Sequence, residues 1–206
     1  MISRNILTVL VLAAAVLAGC DKPTASAPGA AAAPLQFQGV DITGADYAQT
    51  LSLPDASGQM RTLADFKGKV VVVFFGYTQC PDACPTTMAE LAQVKKTLGK
   101  DGERVQGIFV TVDPQRDTPE VLKSYLASFD PSFVALRGTP EQTQAVAKEF
   151  KVFFAKVPGT TEGSYTVDHT AGSYLLDANG KIRVFERYGS GAPALTADLK
   201  ALLASG

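Results

Sequence analysis

From Lys69 to Pro85 the chain reads KVVVVFFGYTQCPDACP. Its first nine residues are a nearly unbroken run of β-branched and aromatic side chains. A run of that kind fits a central strand covered on both faces, not an edge strand with one wet side. Cys80 and Cys84 follow directly. Beyond them Thr87 and Glu90 have capping-box spacing, and Met88, Leu91, Val94 and Leu98 fall on approximately one helical face until Gly99 stops the helix. The two cysteines therefore stand where a buried strand gives way to a helix N-terminus. Such an end carries about half a positive charge and free N–H groups. Both favour thiolate over thiol, which predicts lowered pKa values for the two sulfurs.

Three residues separate the pair. At i, i+4 on a helical turn the Cβ atoms lie roughly 5–6 Å apart on one face. Two sulfurs so placed either bind one soft ion at ~2.3 Å each or, after modest adjustment, close a disulfide. A disulfide closing five residues would add less stability than the ~3 kcal/mol of a fifteen-residue loop, so stability alone does not motivate the pair. Taken alone, the motif does not choose between redox and metal chemistry.

Working outward, Val105 to Val112 reads as the next strand. Thr118-Pro119-Glu120 opens a helix to about Phe129, with proline tolerated in the first turn. Phe133 to Leu136 is a short strand, and Thr139-Pro140 opens a helix to about Phe150. Ser173–Leu176 and Ile182–Tyr188 flank Asp177-Ala178-Asn179-Gly180 as a hairpin, and Pro193 opens a last helix burying Leu195, Leu199, Leu202 and Leu203. Leu51-Ser52-Leu53 and the Ser57-Gly58 turn suggest an N-terminal hairpin. This alternation predicts an α/β fold with a mixed central sheet and helices on both faces. The net charge of −1 gives no electrostatic footprint for nucleic acid.

The first residues read as an address. Arg4 supplies a positive n-region, Ile6 to Leu17 an apolar stretch too short for an ordinary spanning helix, and Leu17-Ala18-Gly19-Cys20 looks like a bacterial lipobox. Residues 1–19 are thus expected to be a lipoprotein signal peptide, with Cys20 the lipidated residue. Residues 20–36, rich in Ala and Pro, are expected to be a flexible linker, and residues 37–206 the globular domain. Asp21 resembles an inner-membrane retention signal. With Cys20 committed to lipid, secretion places the remaining pair in a compartment where a disulfide is permitted.

His169 is the chain's one histidine. It lies in Tyr165-Thr166-Val167-Asp168-His169-Thr170, a loop just before a strand. Together with Cys80-Pro81-Asp82-Ala83-Cys84-Pro85 and Asp113-Pro114-Gln115-Arg116-Asp117-Thr118-Pro119, this segment resembles the Sco/SenC family of copper-handling, thioredoxin-fold lipoproteins. Order and spacing match, over about residues 37–206. The resemblance implies a thioredoxin-like fold, copper bound by Cys80, Cys84 and His169, and a role in assembling the binuclear copper centre of cytochrome c oxidase. The partners it implies are the oxidase's copper-site subunit, a periplasmic thiol reductant, and the inner membrane through the lipid anchor. A second copper chaperone enters if the protein only reduces the recipient site.

The donor atoms support copper. Two thiolates and an imidazole form a soft, low-coordinate set suited to Cu(I), and a fourth weak ligand would admit Cu(II); Zn²⁺ takes the same atoms but usually wants a fourth. Asp113 is expected either beside the copper, as a weak or supporting ligand, or, like Asp117, as a turn and capping residue. Asp168, Tyr165 and Arg116 are left between structure and partner contact. The rival function is a thiol–disulfide oxidoreductase using Cys80 and Cys84 as a redox pair. A thiol peroxidase shares the strand–Cys–helix layout, but no further residue asks for it.

Overall fold

A computed structural model describes residues 35–206. The expected signal peptide, Cys20 and nearly all of the expected linker lie outside the described residues.

The chain forms β1 (Val40–Asp41), β2 (Ser52–Pro54), β3 (Met60–Thr62), β4 (Val70–Gly76), α1 (Ala83–Thr97), β5 (Val105–Thr111), α2 (Pro119–Ala127), β6 (Val134–Leu136), α3 (Pro140–Glu149), β7 (Phe154–Pro158), β8 (Tyr165–His169), β9 (Gly172–Leu176), β10 (Ile182–Arg187) and α4 (Ala192–Ala204). Short 3₁₀ turns precede β4 and β5. Six strands make the main sheet in the order β1-β10-β9-β4-β5-β6. β4, β5 and β6 run parallel, whereas β9 is antiparallel to β4 and β10, and β1 is antiparallel to β10. The sheet is therefore mixed, as the alternation of elements predicts.

All seven residues of β4 and of β5 are buried. Successive strand side chains point to opposite faces, so both faces at the centre must be covered. On one face Phe74 and its register partner Phe109 pack together, and Phe109 meets Tyr125 of α2 at 5.5 Å. On the other, Phe75 meets Phe150, at the end of α3, at 5.3 Å. Sequence signals explain where the helices begin. Thr118 and Thr139 accept from the backbone N–H groups of Val121 and Gln142, each with proline next in sequence.

Three features differ from the sequence reading. α1 starts at Ala83, four residues before the Thr87–Glu90 capping box, so Cys84 and Pro85 lie in its first turn. Proline is no obstacle there because first-turn N–H groups have no intrahelical acceptor. β1 adds an edge strand, held where Asp198 of α4 accepts from Gln38 and Gly39 N–H at 2.7 and 2.8 Å. Finally, residues 154–169 form a separate two-stranded hairpin, β7–β8. Its exposed faces, and the Pro158-Gly159 and Gly163 turn residues, hide its strands from a periodicity test.

Candidate metal centre

Cys84 is carried by the first turn of α1, Cys80 by the preceding loop, and His169 by the last position of β8. The structure brings these three together: Cys80 Sγ, Cys84 Sγ and one imidazole nitrogen all lie within 4.8 Å of one another. Cys84 Sγ is 3.4 Å from His169 Nε2, and Cys84 N–H donates to Cys80 Sγ at 3.5 Å. Two sulfurs bound to one trigonal ion at ~2.3 Å would be roughly 4 Å apart. The donors are thus close to a ligating arrangement, and both thiols are free.

The imidazole is held from three sides. With Nδ1–H donating to the Thr170 carbonyl at 3.2 Å, Nε2 turns its lone pair toward Cys84. The ring presents an edge contact to Phe74 at 5.9 Å and to Tyr77 at 6.0 Å, both near perpendicular. Burial lowers the His169 pKa below its ordinary value, against smaller opposing effects of the Thr170 carbonyl and Asp168. The neutral ring is the metal-ligating form.

The predicted lowering of both thiol pKa values fails at Cys84. Burial pushes that thiol far above the ordinary thiol range, and neighbouring Cys80 and Asp117 push it the same way; a backbone hydrogen bond at Tyr77 only partly offsets this. Cys84 is completely buried, so the low dielectric around its sulfur outweighs the partial charge of the helix end. A buried thiol opposite a neutral imidazole is a poor free nucleophile. It becomes a strong ligand once a cation replaces its proton.

Asp113 and Asp117 are both buried, and each has a definite structural task. Asp117 accepts from Thr78 N–H, from Thr78 Oγ1 at 2.6 Å and from Thr111 Oγ1 at 2.5 Å. It fastens the loop leading to Cys80 against the end of β5. Burial raises its pKa, while these hydrogen bonds oppose the rise. Asp113 is salt-bridged to Arg116 and accepts from Tyr165 Oη at 2.9 Å. Arg116 lies 3.7 Å above the Tyr165 ring and donates to the Tyr165 carbonyl at 2.9 Å and to Gln79 Oε1 at 3.1 Å. One arginine therefore ties the β7–β8 hairpin to the cysteine loop. Asp113 has its oxygens turned to this clamp and is not among the three clustered donors. Asp168 is exposed, across the hairpin from Ala155.

Gly76 was not singled out by the sequence reading, yet the site depends on it. A Cβ there would meet Cys84 Sγ and Phe74 Cε1, each at 2.7 Å. The available signal was a glycine inside an otherwise β-branched and aromatic strand, which marks a close approach to the backbone.

A mixed sheet with a thiol pair at the strand–helix junction defines a thioredoxin-like protein, here with an imidazole added to the pair. The chain belongs to the SCO1/SenC family, whose model matches residues 40–204. An SCO2-like protein of Rickettsia felis is 41% identical over 130 residues, a match spanning 63% of each chain. Among solved structures, copper-bound ScoI of Bradyrhizobium japonicum is similar with a TM-score of 0.69 at 40% identity, over 76% of this chain and 99% of that one. Copper-bound yeast Sco1 is similar with a TM-score of 0.71 at 31% identity, over 79% and 91%.

Proposed function

We propose that this protein is a copper chaperone that binds one copper ion through Cys80, Cys84 and His169. It delivers the ion to the binuclear copper site of cytochrome c oxidase, from a lipid anchor at Cys20 on the periplasmic face of the bacterial inner membrane. The observation that carries the reading is the convergence of two thiols and a neutral imidazole within 4.8 Å of one another at a partly exposed position. Soft sulfur donors with few partners favour Cu(I), and the three-donor set leaves room for the weak extra ligand that Cu(II) would want. Copper-bound relatives of the same fold support the choice of metal.

Copper is cargo in this reading. Cu(I) replaces the thiol protons of the reduced pair and takes up the lone pair at His169 Nε2. The acceptor's ligands then displace the three donors one at a time, with His169 leaving first because its hairpin lies outside the main sheet. Oxidation of the two thiols to a disulfide, with loss of two protons and two electrons, removes both sulfur ligands. Loading therefore requires a periplasmic thiol reductant.

The test is an anaerobic Cu(I) titration of the reduced full-length chain against a competing chelator, for wild type and His169→Ala. The expected result is one tightly held equivalent in wild type that weakens at least tenfold in the variant. Binding indifferent to His169 would overturn the ligand assignment. A second reading is favoured by the partial exposure of Cys80 beside buried Cys84. Cys80 would attack an oxidised recipient site, Cys84 would resolve the mixed disulfide, and another copper chaperone would load the reduced site. In that case His169→Ala leaves reduction of an oxidised copper-subunit fragment intact, and copper affinity is irrelevant to activity.

A further inference from the structure

Two acidic side chains occupy core positions that the surrounding pattern gives to apolar ones. Along β10, Ile182, Val184 and Glu186 turn to the buried face of the strand, and Glu186 is 5% exposed. On α4, Asp198 is completely buried beside Leu195, Leu199 and Leu202. Acidic side chains are almost never buried so fully without a partner. Asp198 has partners: its two oxygens accept from Gln38 and Gly39 N–H, which docks the chain leading into β1. Glu186 has none, since neither of its oxygens meets a hydrogen-bond partner.

The two carboxyl groups flank one glycine. A Cβ on Gly39 would meet Glu186 Cδ at 3.1 Å and Asp198 Oδ2 at 3.2 Å. The other groups facing Glu186 do little to compensate it. Glu90 of α1 lines the same cavity of about 20 Å³, space for roughly one water, and adds negative charge. Thr87 and Ser190 line it too, but the Ser190 hydroxyl donates to the Arg187 carbonyl at 2.9 Å. Arg187 lines it from an exposed position, and Tyr188 turns its hydroxyl to Asp82 and Thr86. A buried carboxyl group with no donor to meet is satisfied by keeping its own proton and donating it to a neighbouring carboxylate. Accordingly burial, and then Asp198, push the Glu186 pKa up to about 7. A metal ion fits less well, because among the described residues three metal donors gather only at Cys80, Cys84 and His169.

We propose that Glu186 and Asp198 form a proton-operated latch on the chain entering β1. With one proton shared between them, Asp198 keeps hold of Gln38 and Gly39. When that proton leaves, two buried carboxylates face each other across Gly39, and letting the segment off the sheet edge relieves the repulsion. β1 is two residues long and both are exposed, so apart from its short pairing with β10 the segment depends on Asp198. Residues 35–41 then join the expected linker. At ~3 Å per residue they add roughly 20 Å to the reach of a domain anchored at Cys20. The latch needs no copper; only its use in setting reach rests on the anchor. The sign follows from linkage. The folded Glu186 holds its proton more tightly than the unfolded one, so the grip is full at low pH and is lost as pH rises from the ordinary carboxylate range toward 7.

The experiment measures amide exchange of Gln38 and Gly39 in the full-length chain from pH 5 to pH 8, as protection factors, which remove the intrinsic pH dependence of exchange. In wild type, protection is expected to fall by more than about tenfold over that range, at up to about tenfold per unit below pH 7, while β4 stays protected. Glu186→Gln keeps the shape and a donor toward Asp198 and carries no charge. Its protection is expected to stay flat and to exceed wild type about tenfold at pH 8. Flat protection in wild type would overturn the latch, as would a fall that survives Glu186→Gln. The wild-type Glu186 carboxyl signal gives a check that needs no variant: it is expected to titrate near neutrality, and a midpoint in the ordinary carboxylate range would overturn the proposal. Protection at pH 8 regained on adding millimolar Mg²⁺ or Ca²⁺ would assign the cavity to a metal ion and overturn it as well. None of these readouts uses copper, so each outcome leaves the delivery reading where it stands.

Discussion

The two halves of the metal centre are built from different materials. Cys84 belongs to the core: it packs on Gly76 of a strand whose seven residues are all buried, and α1 pins it from the other side. His169 belongs to a two-stranded hairpin outside the main sheet, in which only Val167 is buried. The thiol is placed by close packing, which resists small displacements. The imidazole is placed by two aromatic edges and by a polar clamp made of Arg116, Asp113 and Tyr165. A carrier that must hold an ion and then let it go can use that difference, because one ligand can leave while the others keep their geometry.

The largest effect should come from the packed half. Cys84→Ser is expected to lower Cu(I) affinity on the order of a thousandfold, the scale of about 3–4 kcal/mol per donor in metal sites bound with 10–16 kcal/mol. Chelator competition measures this, and the melting temperature should move little, since serine is close in size. If affinity fell no further than in His169→Ala, the two halves would be energetically equal and the contrast would collapse. Next in size is Arg116→Ala. It removes the partner of Asp113, whose side chain is completely inaccessible, while the arginine itself is 20% exposed. Leaving a buried carboxylate unpaired costs roughly 3 kcal/mol. Urea unfolding should show the loss, and amide exchange across 165–169 should rise more than across β4. Arg116→Lys keeps the charge without the planar fork and the ring stack, so it should recover only part. Equal exchange increases in β4 and in the hairpin would show that the clamp supports the whole fold.

The same division decides how much of the site was legible in the sequence. The packed half was readable because burial leaves a pattern: an apolar run gives a central strand, and a cysteine pair after it gives the junction. The helix start was misplaced by four residues because Thr87 and Glu90 satisfy a capping-box spacing that the chain does not use; Asp82 precedes the helix instead. The sign of the Cys84 shift was missed because sequence reports the helix end and not the depth of the sulfur. The hairpin half was invisible as structure, since short exposed strands lack an apolar period, and β7–β8 read as loop. His169 was found there by motif resemblance and by being the one imidazole available. Asp113 and Arg116 were quoted as a motif, but their task depends on Tyr165, 52 and 49 residues away, a pairing no local spacing reveals.

A pH series sharpens the contrast at intermediate scale. Burial holds the Cys84 thiol protonated well above neutrality, so Cu(I) must expel that proton between pH 6 and 8. The apparent affinity should rise with pH, about tenfold per unit for each proton displaced. Burial moves His169 the other way, below its ordinary pKa, so it adds less slope than an ordinary imidazole would. Chelator competition at three pH values measures the slope. A profile that is flat would mean that Cys84 is ionised before copper arrives. A slope that steepens below about pH 6.5 would mean that the hairpin presents a charged imidazole, and both halves would then titrate on binding.

The smallest effect tests whether the hairpin is held from inside or outside. Lys156, on β7, donates to Gln115 Oε1 at 2.6 Å and stands 4.4 Å from the Tyr165 ring centre. Its partners repeat those of Arg116 in kind: a polar atom of the segment after β5 and the face of the same tyrosine. The difference is exposure, since the Lys156–Gln115 contact is open to water while Asp113 is sealed. Exposed polar pairs and exposed cation–π contacts are worth at most about 1 kcal/mol, and often less. Lys156→Ala should therefore cost less than about 0.5 kcal/mol in urea unfolding and leave Cu(I) affinity unchanged. A loss comparable to that of Arg116→Ala would place the anchoring of His169 on the surface of the hairpin. Arg116 would then be one of two equal ties, and release of the imidazole would have to break both.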